Sequence, residues 1–456
     1  MRGEGEILLV STYELGHQPQ GIAVPSAFLA RAGFRPATLD LAVEPLDPAR
    51  VLRARLVAIS VPMHTALRLG LDAAARIHAV NPAALLAFHG TYAPLHAPLL
   101  LGAGATAVVG GECEEELVAL ATAAERGEDL SRFIQRGGGA ASLARLDFPV
   151  PRRHGLPGPD RYARLREADG SERLAGYAES TRGCLHRCRH CPVPAVYDGR
   201  FFAVPVETVL ADVEQQIPAG ITHVTFGDPD FLNGPLHALR VAREFHRRFP
   251  ALTFDFTAKV EHLVRNAGHL PDLVACGAVF VVSAVESLSD RVLAKLEKGH
   301  TREDVFRAFD ASDRAGLPLR PTLVPFTPWE TLPGYLDVLE TFEERGWLGR
   351  IDPVQFSLRL LVPPGSLLVG DPDLPLEAID DAALTWRWTH PDPRMDVLQS
   401  RVAAVVDAGA TRGDDPAATV ADVKAMALAA AGRSHSHVAR PFSTTGSPRL
   451  TENWFC

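Results

Sequence analysis

The sequence predicts an α/β protein built from two consecutive sets of parallel strands. Short apolar, strand-like runs alternate with helix-like periods along most of the chain, a pattern typical of β/α units. At 456 residues the chain is too long for one ordinary domain. Its 46% hydrophobic and 22% charged residues are typical of a globular protein rather than a disordered one.

Residues 1–126 predict a doubly wound parallel sheet. Five short buried strands are expected at EILLVS, RPATLDL, LVAISV, ALLAFHG and ATAVVGG, and an apolar-periodic helix follows each of them. Such a fold binds its ligand at the C-terminal edge of the sheet, where the loops VPMHTALRLG and FHGTYAP lie. His64, Gly90 and Thr91 are therefore candidate contacts.

Residues 127–172 contain RGGGAAS and an arginine- and proline-rich segment, which predict a linker that packs on the following domain. Acidic residues interrupt the arginines, and the net charge of the whole chain is −9. A nucleic-acid partner is not expected, because such proteins usually carry a basic surface.

Residues 173–368 predict a second parallel sheet. The strand LAGYAES precedes a group of cysteines, and five further strands are expected at HVTFGD, TFDFTAK, AVFVVSAVES, LRPTLVPF and PVQFSLRLLV. Amphipathic helices fit between them, for instance PLHALRVAREFHRRF. Parallel barrels place their chemistry at the C-terminal ends of the strands, so residues there are the first candidates for function.

Three of the six cysteines, Cys184, Cys188 and Cys191, form one compact Cys-x3-Cys-x2-Cys group. The N-terminal segment lacks the pattern of a signal peptide, and no apolar run approaches the ~20 residues that span a bilayer. We therefore expect a cytoplasmic protein with reduced thiols and no membrane partner. A reduced cysteine cluster is usually a metal site. Structural zinc needs four ligands, and His186 or His190 would complete such a set. The other reading is a [4Fe–4S] cluster with one open iron.

The segment TRGCLHRCRHCPVPAVYDGRF resembles the radical SAM superfamily, whose hallmark is this cysteine spacing after a first barrel strand. The resemblance implies a partial (β/α)6 barrel of the TIM type. Cys184, Cys188 and Cys191 would be the catalytic cluster ligands, and S-adenosylmethionine would chelate the open iron. His190 stands where the family usually has an aromatic residue beside the adenine. A small-molecule or peptide substrate and a reductant such as flavodoxin or ferredoxin are implied as partners.

Two further strand ends match positions of the family. Gly227 and Asp228 in FGDPDF lie where the family contacts the amino group of S-adenosylmethionine, and Ser283 and Glu286 lie at the end of the fourth strand. Simpler readings stay open here. Glu286 would merely cap the next helix. Lys259 and Glu261 would line the barrel mouth or form a solvated pair, and Asp255 would point into the barrel or be exposed.

The N-terminal domain resembles the Rossmann-like, cobalamin-binding-like domain that precedes many radical SAM barrels. VVGGECEEELVALA matches the closing turn of that domain, which implies ligand contacts at Gly110 and Gly111. The Asp-x-His-x-x-Gly motif is absent, and ELGHQPQG offers only His17 at a different spacing. Cobalamin is therefore a candidate cofactor beside the cluster and S-adenosylmethionine, with an empty domain as the alternative.

Residues 369–456 predict a helical extension that ends in NWFC. With GDPDFLNGP and LRPTLVPFTPWETL, this tail resembles the CUAEP/CCAEP-tail radical SAM family, whose members end in Cys followed by selenocysteine or Cys. We expect Cys456 to be a redox residue and the next codon to be UGA read as selenocysteine.

The predicted function is an enzyme that cleaves S-adenosylmethionine reductively and generates a carbon radical for group transfer or C–H functionalisation. Methyl transfer through cobalamin and transfer of the 3-amino-3-carboxypropyl group to a soft acceptor are two versions. A non-catalytic iron–sulfur and corrinoid protein that carries electrons or acts as a sensor is the alternative from another class. A zinc-stapled scaffold is a further alternative.

Overall fold

The computed structural model describes residues 1–433 and 447–452, so Cys456 lies outside the described residues. The N-terminal domain contains a five-stranded parallel sheet in the order β2-β1-β3-β4-β5. Its strands are β1 Ile7–Ser11, β2 Ala37–Asp40, β3 Leu56–Ser60, β4 Leu85–His89 and β5 Ala107–Val109. Its helices are α1 Gln20–Arg31, α2 Pro48–Arg53, α3 His64–Val80, α4 Ala97–Gly102 and α5 Glu114–Arg126. All five predicted strands are confirmed.

Both faces of this sheet are buried. The side chains of β1 alternate between two apolar cores, with Ile7 and Leu9 on one side and Leu8 and Val10 on the other. Helices α1 and α5 cover the first face, whereas α2, α3 and α4 cover the second. A strand buried on both faces is apolar throughout, which explains why ILLV has no polar alternation.

The second domain contains a curled sheet with five parallel strands in the order β7-β10-β11-β12-β13. These are β7 Glu172–Ala178, β10 His223–Phe226, β11 Thr253–Thr257, β12 Ala278–Glu286 and β13 Leu319–Leu323. Two short antiparallel strands, β6 Arg164–Arg166 and β16 Arg449–Leu450, extend the β7 edge. The surrounding helices are α7 Val206–Glu214, α8 Pro235–Arg248, α9 Val260–Arg265, α10 Leu270–Ala275, α11 Asp290–Lys295, α12 Arg302–Ala315 and α13 Leu332–Glu344. The predicted half-barrel architecture is confirmed.

The predicted sixth strand at residues 353–362 is wrong. Pro353–Phe356 forms a 3₁₀ helix, and a single bridge between Phe326 and Arg359 is the pairing observed at this edge. Pro353 lacks an N–H group for a strand ladder. The side-chain oxygen of Gln355 accepts instead from the backbone N–H of Leu323 at 2.9 Å. A side chain therefore replaces the backbone pairing that a sixth strand would supply.

A small antiparallel hairpin and a short helix surround the cysteines. The hairpin pairs β8 Thr181–Gly183 with β9 Phe201–Ala203, and α6 Pro192–Tyr197 lies between them. The cysteine loop, residues 184–191, joins β8 to α6 and follows the C-terminal end of β7. This is the end at which parallel barrels place their chemistry.

The C-terminal extension is only partly helical. It begins with an antiparallel hairpin of β14 Leu376–Asp380 and β15 Thr385–Trp388, followed by α14 Pro393–Arg412 and α15 Pro416–Ala430. The tip of the hairpin reaches the N-terminal domain, where Leu384 is a buried member of the core on the α3 face. Among the described residues, no helix has the length and apolarity needed to cross a membrane.

The linker also joins the two domains. The backbone N–H of Ser142 donates to Gly110 at the end of β5, and Ser142 in turn accepts from Glu112. Arg153 is buried and bonded to both domains. The linker therefore packs against its neighbours along much of its length.

Candidate active site in the cysteine loop

The three cysteines of the loop are close together and are not joined by disulfides. Cys188 is buried, and Cys184 and Cys191 are half-buried. Burial raises the pKa of Cys184 to about 11 and that of Cys191 to about 12, and the negative charge of the neighbouring thiolates contributes to both shifts. A bound metal ion would offset the raised pKa values of Cys184 and Cys191, because a metal stabilises the thiolate form.

Contacts from the barrel hold both halves of the cysteine loop. The side-chain oxygen of Asn233, just before α8, accepts from the backbone N–H of Leu185 at 3.1 Å. Arg189 forms an ion pair of 2.6 Å with Asp371, and its backbone carbonyl accepts from Ser366 Oγ at 3.0 Å. The loop is therefore held at both ends by segments distant in the sequence.

Arg182 connects the cysteine loop to the N-terminal domain. Its guanidinium contacts the carboxylates of Glu112 and Glu114, which lie at the turn from β5 to α5, and that of Glu179. Tyr197 in α6 also donates to Glu112, at 2.9 Å. Burial raises the pKa of Glu112, and Arg182 opposes that shift. The closing turn of the first domain therefore lies beside the loop that carries the cysteines.

The structure brings His190 and Glu286 together. His190 Nε2 lies 3.3 Å from Glu286 Oε1, and Lys298 Nζ lies 3.1 Å from the same oxygen. Burial works against ionisation of Glu286, but Lys298 and His190 lower its pKa overall. The capping alternative for Glu286 is wrong, because the N-cap of α11 is Ser289. His190 and Glu286 line a cavity of about 300 Å³ that is also bordered by Pro62 and Met63 of the N-terminal domain.

The other strand-end candidates have different surroundings. The carboxylate of Asp228 accepts from the backbone and hydroxyl of Ser180 and from the hydroxyl of Thr181, so it fixes the segment before the cysteines. Gly227 packs so tightly against the Tyr177 ring that a Cβ atom would lie 1.9 Å from the Tyr177 hydroxyl oxygen. Ser283 is buried, and its hydroxyl has no hydrogen-bond partner among the described residues.

A second cavity, of about 340 Å³, lies between the two domains. Gly90, Thr91 and Gly111 line it together with Ser60 and His89 at the ends of β3 and β4. Ser60 Oγ and His89 Nε2 are buried and have no hydrogen-bond partner among the described residues. Burial lowers the pKa of His89 to about 4, so its imidazole is neutral near pH 7.

The other residues of the first domain that the sequence nominated as ligand contacts are packed against neighbouring parts of the chain. His64 Nε2 bonds to the carbonyl of Ala383 at 2.8 Å and lines the 300 Å³ cavity. A Cβ atom on Gly110 would lie 2.6 Å from Pro94, and one on Gly111 would lie 2.1 Å from Ser142 O. These two glycines therefore permit the close approach of neighbouring chain segments. His17 is buried and stacks on Tyr177, with ring centroids 4.7 Å apart.

The structure distinguishes between the alternatives that the sequence left open for Asp255 and for the pair of Lys259 and Glu261. Asp255 is buried and contacts His223 Nε2 at 2.8 Å and Thr225 Oγ1 at 2.6 Å, so it is not exposed. Lys259 and Glu261 form a pair at 3.7 Å, but Lys259 is buried and the pair is therefore not a freely solvated one.

Sequence reasoning missed four polar residues near the cysteine loop. They are Asp230, Asn233, His262 and Lys298, and all four are buried. Asp230 and Asn233 closely follow β10, and His262 closely follows β11. The rule that barrel chemistry lies beyond the C-terminal strand ends would have nominated these three. Lys298 lies after α11, and no spacing signal marks it.

Comparison with known proteins identifies the second domain. Residues 178–339 match the radical SAM superfamily. MJ0865 of Methanocaldococcus jannaschii, which carries the name of a methylthiotransferase, is 26% identical over 176 residues. That match covers 35% of this chain and 37% of the relative, so it spans little more than a third of the length of that protein.

Two solved structures resemble most of the fold. The radical S-adenosylmethionine methyltransferase TsrM from Kitasatospora setae, with cobalamin and a [4Fe–4S] cluster bound, has 19% identity and a TM-score of 0.59. That similarity covers 74% of this chain and 72% of TsrM. The cobalamin-dependent radical enzyme OxsB, with aqua-cobalamin bound, has 15% identity and a TM-score of 0.70, covering 88% of this chain and 67% of OxsB. Both show the same architecture, and residues 178–339 of this chain are a radical SAM domain.

Proposed function

We propose that the chain is an enzyme that binds a [4Fe–4S] cluster through Cys184, Cys188 and Cys191 and cleaves S-adenosylmethionine reductively. The product would be a carbon radical for group transfer or C–H functionalisation. The observation that carries the proposal is the cysteine loop itself, with three free cysteines within eight residues beyond the C-terminal end of β7. Of the other described cysteines, Cys113 and Cys276 lie in the apolar cores of the two domains. A three-thiolate cluster leaves one iron free for a ligand.

The surrounding residues suit this chemistry. The ammonium of Lys298 is buried beside Glu286. Burial lowers its pKa, but Glu286 and the charges of the Cys188 and Cys191 thiolates raise it overall. The positive charge of Lys298 would therefore offset the negative charge that a thiolate-bound cluster brings to the loop. His190 and Glu286 present polar atoms to the adjoining cavity of about 300 Å³, which fits a polar ligand such as S-adenosylmethionine. Pro62 and Met63 border the same cavity from the other domain.

We also propose cobalamin-dependent methyl transfer as the favoured version of the reaction. Ser60 and His89 line the interdomain cavity, and each has a buried polar side-chain atom without a partner among the described residues; such atoms usually meet a ligand or water. Ser60, His89 and Thr91 would hold the corrinoid, which when bound would supply a methyl group for transfer. TsrM and OxsB both have cobalamin bound in their solved structures, and TsrM is a methyltransferase.

The first test is an anaerobic assay of the full chain with a reconstituted cluster, dithionite and S-adenosylmethionine, with and without hydroxocobalamin. We expect a brown protein and cleavage of S-adenosylmethionine, detected by mass spectrometry. 5′-Deoxyadenosine would establish radical initiation, whereas S-adenosylhomocysteine formed only with hydroxocobalamin would establish methyl transfer. Methylthioadenosine would indicate transfer of the aminocarboxypropyl group.

Matched cysteine variants control this assay. Cys184→Ser, Cys188→Ser or Cys191→Ser removes one cluster ligand and should abolish cleavage. Cys276→Ser changes a cysteine of the barrel core and should retain both the cluster and the activity. An intact cluster without any cleavage would overturn the proposal in favour of an electron carrier or sensor.

The finer family resemblance is part of the same proposal. We propose that the chain is related to the CUAEP/CCAEP-tail family, that a flavodoxin or ferredoxin reduces it, and that it works in the cytoplasm on a small-molecule or peptide substrate. A UGA codon after that of Cys456 would support the tail assignment, and UAA or UAG would contradict it.

A further inference from the structure

Two exposed leucines lie in and beside the cysteine loop. Leu185 directly follows Cys184 and is 45% exposed, and Leu236 in the first turn of α8 is 78% exposed. The bond from the backbone N–H of Leu185 to the side-chain oxygen of Asn233 joins the loop to the segment just before α8. Single exposed leucines are ordinary on a protein surface. Two of them on adjoining segments beside a functional loop form a small apolar patch.

Exposed arginines lie on the same segments. They are Arg187, Arg200 and Arg240. Arg240 follows Leu236 by one helical turn and therefore lies on the same face of α8. A Cβ atom on Gly199, directly before Arg200, would lie 3.4 Å from the carbonyl oxygen of Leu185. The turn before β9 is therefore packed against the cysteine loop.

The start of β9 also contacts the start of α8. A Cβ atom on Gly234, directly before α8, would lie 3.4 Å from the ring of Phe201, the first residue of β9. The cysteine loop, the start of β9 and the first turns of α8 thus adjoin one another in pairs. The two leucines and three arginines belong to one continuous region of the surface.

The charge of this region is opposite to that of the whole chain. Arg187 pairs with the exposed carboxylate of Asp198 at 3.1 Å. The other two arginines form no ion pair among the described residues. Glu244, one turn beyond Arg240, pairs with Arg247 instead. The region therefore has more positive than negative charge, on a chain whose net charge is −9.

We propose that this region is the docking surface for a small acidic electron-carrier protein. The loop face, as we call it, consists of Leu185, Arg187, Arg200, Leu236 and Arg240. The inference rests on the proposed function, which needs one electron from outside the chain for each reductive cleavage. Because the rate of electron transfer falls steeply with distance, the carrier must bind near the cluster, and Leu185 is the chain neighbour of the cluster ligand Cys184.

The electron balance of the docked complex is simple. The reduced carrier loses one electron and the cluster gains it, and no bond or proton is exchanged. Electron-transfer encounters bury little surface, below about 1,200 Å² in total, so a small apolar patch suffices. Arginines around that patch attract an acidic partner and speed its association. The negative charge of the rest of the chain disfavours other binding orientations of such a partner.

Binding of an acidic flavodoxin tests the loop face. Oxidised flavodoxin is titrated into the full chain with its reconstituted cluster, anaerobically and at low salt, and the Kd is measured by calorimetry. Leu236→Glu with Arg240→Glu should raise the Kd at least about 10-fold, because like charges then face each other. Val397→Glu with Arg401→Glu is the matched control, since these exposed residues are one turn apart on α14. The control should keep the wild-type Kd.

Rates of cluster reduction separate docking from folding. Reduced flavodoxin should reduce the cluster of the Leu236→Glu, Arg240→Glu variant at least about 10-fold more slowly than that of the wild type, seen as loss of visible absorbance in stopped flow. Dithionite needs no docking surface and should reduce both at the same rate. Equal slowing with both reductants, an unchanged Kd, or no binding of flavodoxin to the wild type would overturn the docking surface. Reduction by flavodoxin without cleavage of S-adenosylmethionine would contradict the proposed function but leave the docking surface intact.

Discussion

At the scale of single residues, two carboxyl groups that line the interdomain cavity have pKa values raised toward neutral pH. Burial raises the pKa of Glu14 to about 8, although the backbone N–H of Gly21, 3.1 Å away, opposes the shift. Burial likewise raises the pKa of Glu179 to about 7, against the opposing charge of Arg182. Both groups bind protons more tightly in the folded chain than in the unfolded one. The folded state therefore loses stability as the pH rises from about 4.5 toward these folded pKa values.

We predict that Glu14→Gln stabilises the chain at pH 8.5 and has little effect at pH 5. The amide retains an oxygen that accepts from Gly21 and carries no charge, so the cost of ionising a buried group disappears. The gain should be about 1–3 kcal/mol at high pH, because one pKa unit corresponds to about 1.4 kcal/mol and Glu14 is half-buried, so water screens part of the effect. Urea unfolding at the two pH values measures it. An equal effect at both would show that Glu14 titrates normally.

The cysteines and their neighbours show what a sequence reveals about single residues. Cys184, Cys188 and Cys191 were predicted because their spacing lies within one short loop. His190 and Glu286 were each predicted from a family position, without any prediction that they meet, and the structure places the two side chains 3.3 Å apart. The contact between His186 and His262 joins residues 76 positions apart and has no spacing pattern. The bonds from Ser180 and Thr181 to Asp228 equally depend on the packing of β7 beside β10.

At the scale of elements, Arg153 fixes the linker to both domains. Its guanidinium forms a two-pronged ion pair with Asp212 in α7, at 2.7 and 2.8 Å. It also donates to the side chains of Gln18 and Gln20 in the first domain, both at 2.8 Å, and to the carbonyl of Tyr177 in β7, at 2.7 Å. Every partner is a well-placed acceptor, which is the condition under which a buried charge is tolerated.

Removal of Arg153 should be costly. Arg153→Ala leaves the Asp212 carboxylate buried without its partner, and we expect a loss of about 3–5 kcal/mol in the free energy of unfolding. Replacing both partners with apolar residues, as in Arg153→Met with Asp212→Leu, should recover part of this loss. The half-exposed neighbour provides a control, since Arg152→Ala should change stability by no more than about 0.5 kcal/mol. A similar small effect for Arg153→Ala would contradict a stabilising role of the network.

Elements differed in how far the sequence could predict them. Strands β1 and β3 of the first sheet are almost wholly apolar and buried on both faces, so each run stands out between polar turns. Residues 353–362 are also rich in apolar residues but begin with proline, and their burial comes from packing in an irregular segment rather than in a sheet. The hairpin of β14 and β15 was hidden because TWRW is as compatible with a helix as with a short strand. Apolar pattern predicts burial more reliably than it predicts backbone pairing.

At the scale of the whole molecule, the C-terminal extension completes the first domain. Leu384 at the tip of the hairpin is 1% exposed and packs in the core that contains Phe88 and Leu67. His64 and His96 bond to the carbonyls of Ala383 and Leu384 on either side of this contact. A residue from the far end of the chain is thus part of the N-terminal hydrophobic core. The two domains should therefore depend on each other for stability.

Leu384→Ala tests this dependence. Truncation of a buried leucine should cost about 2–5 kcal/mol, because apolar contacts are lost and a cavity remains. The loss should appear in the unfolding of the N-terminal domain, seen by hydrogen exchange in β3 and β4. Ile379→Ala on the same hairpin, where the side chain is 41% exposed, should have little effect. Unchanged exchange in β3 and β4 would show that the domains are independently stable.

The path of residues 447–452 has a practical consequence for labelling this protein. Strand β16 pairs with β6, and Glu452 accepts from the hydroxyl of Tyr13 at 2.8 Å, next to the Glu14 and Leu15 side of the interdomain cavity. An affinity tag or fluorophore attached close to Glu452 would be near Glu14 and Leu15, which line that cavity. The exposed turn at Gly413, between α14 and α15, is a better insertion point, since exposed polar turns tolerate added sequence.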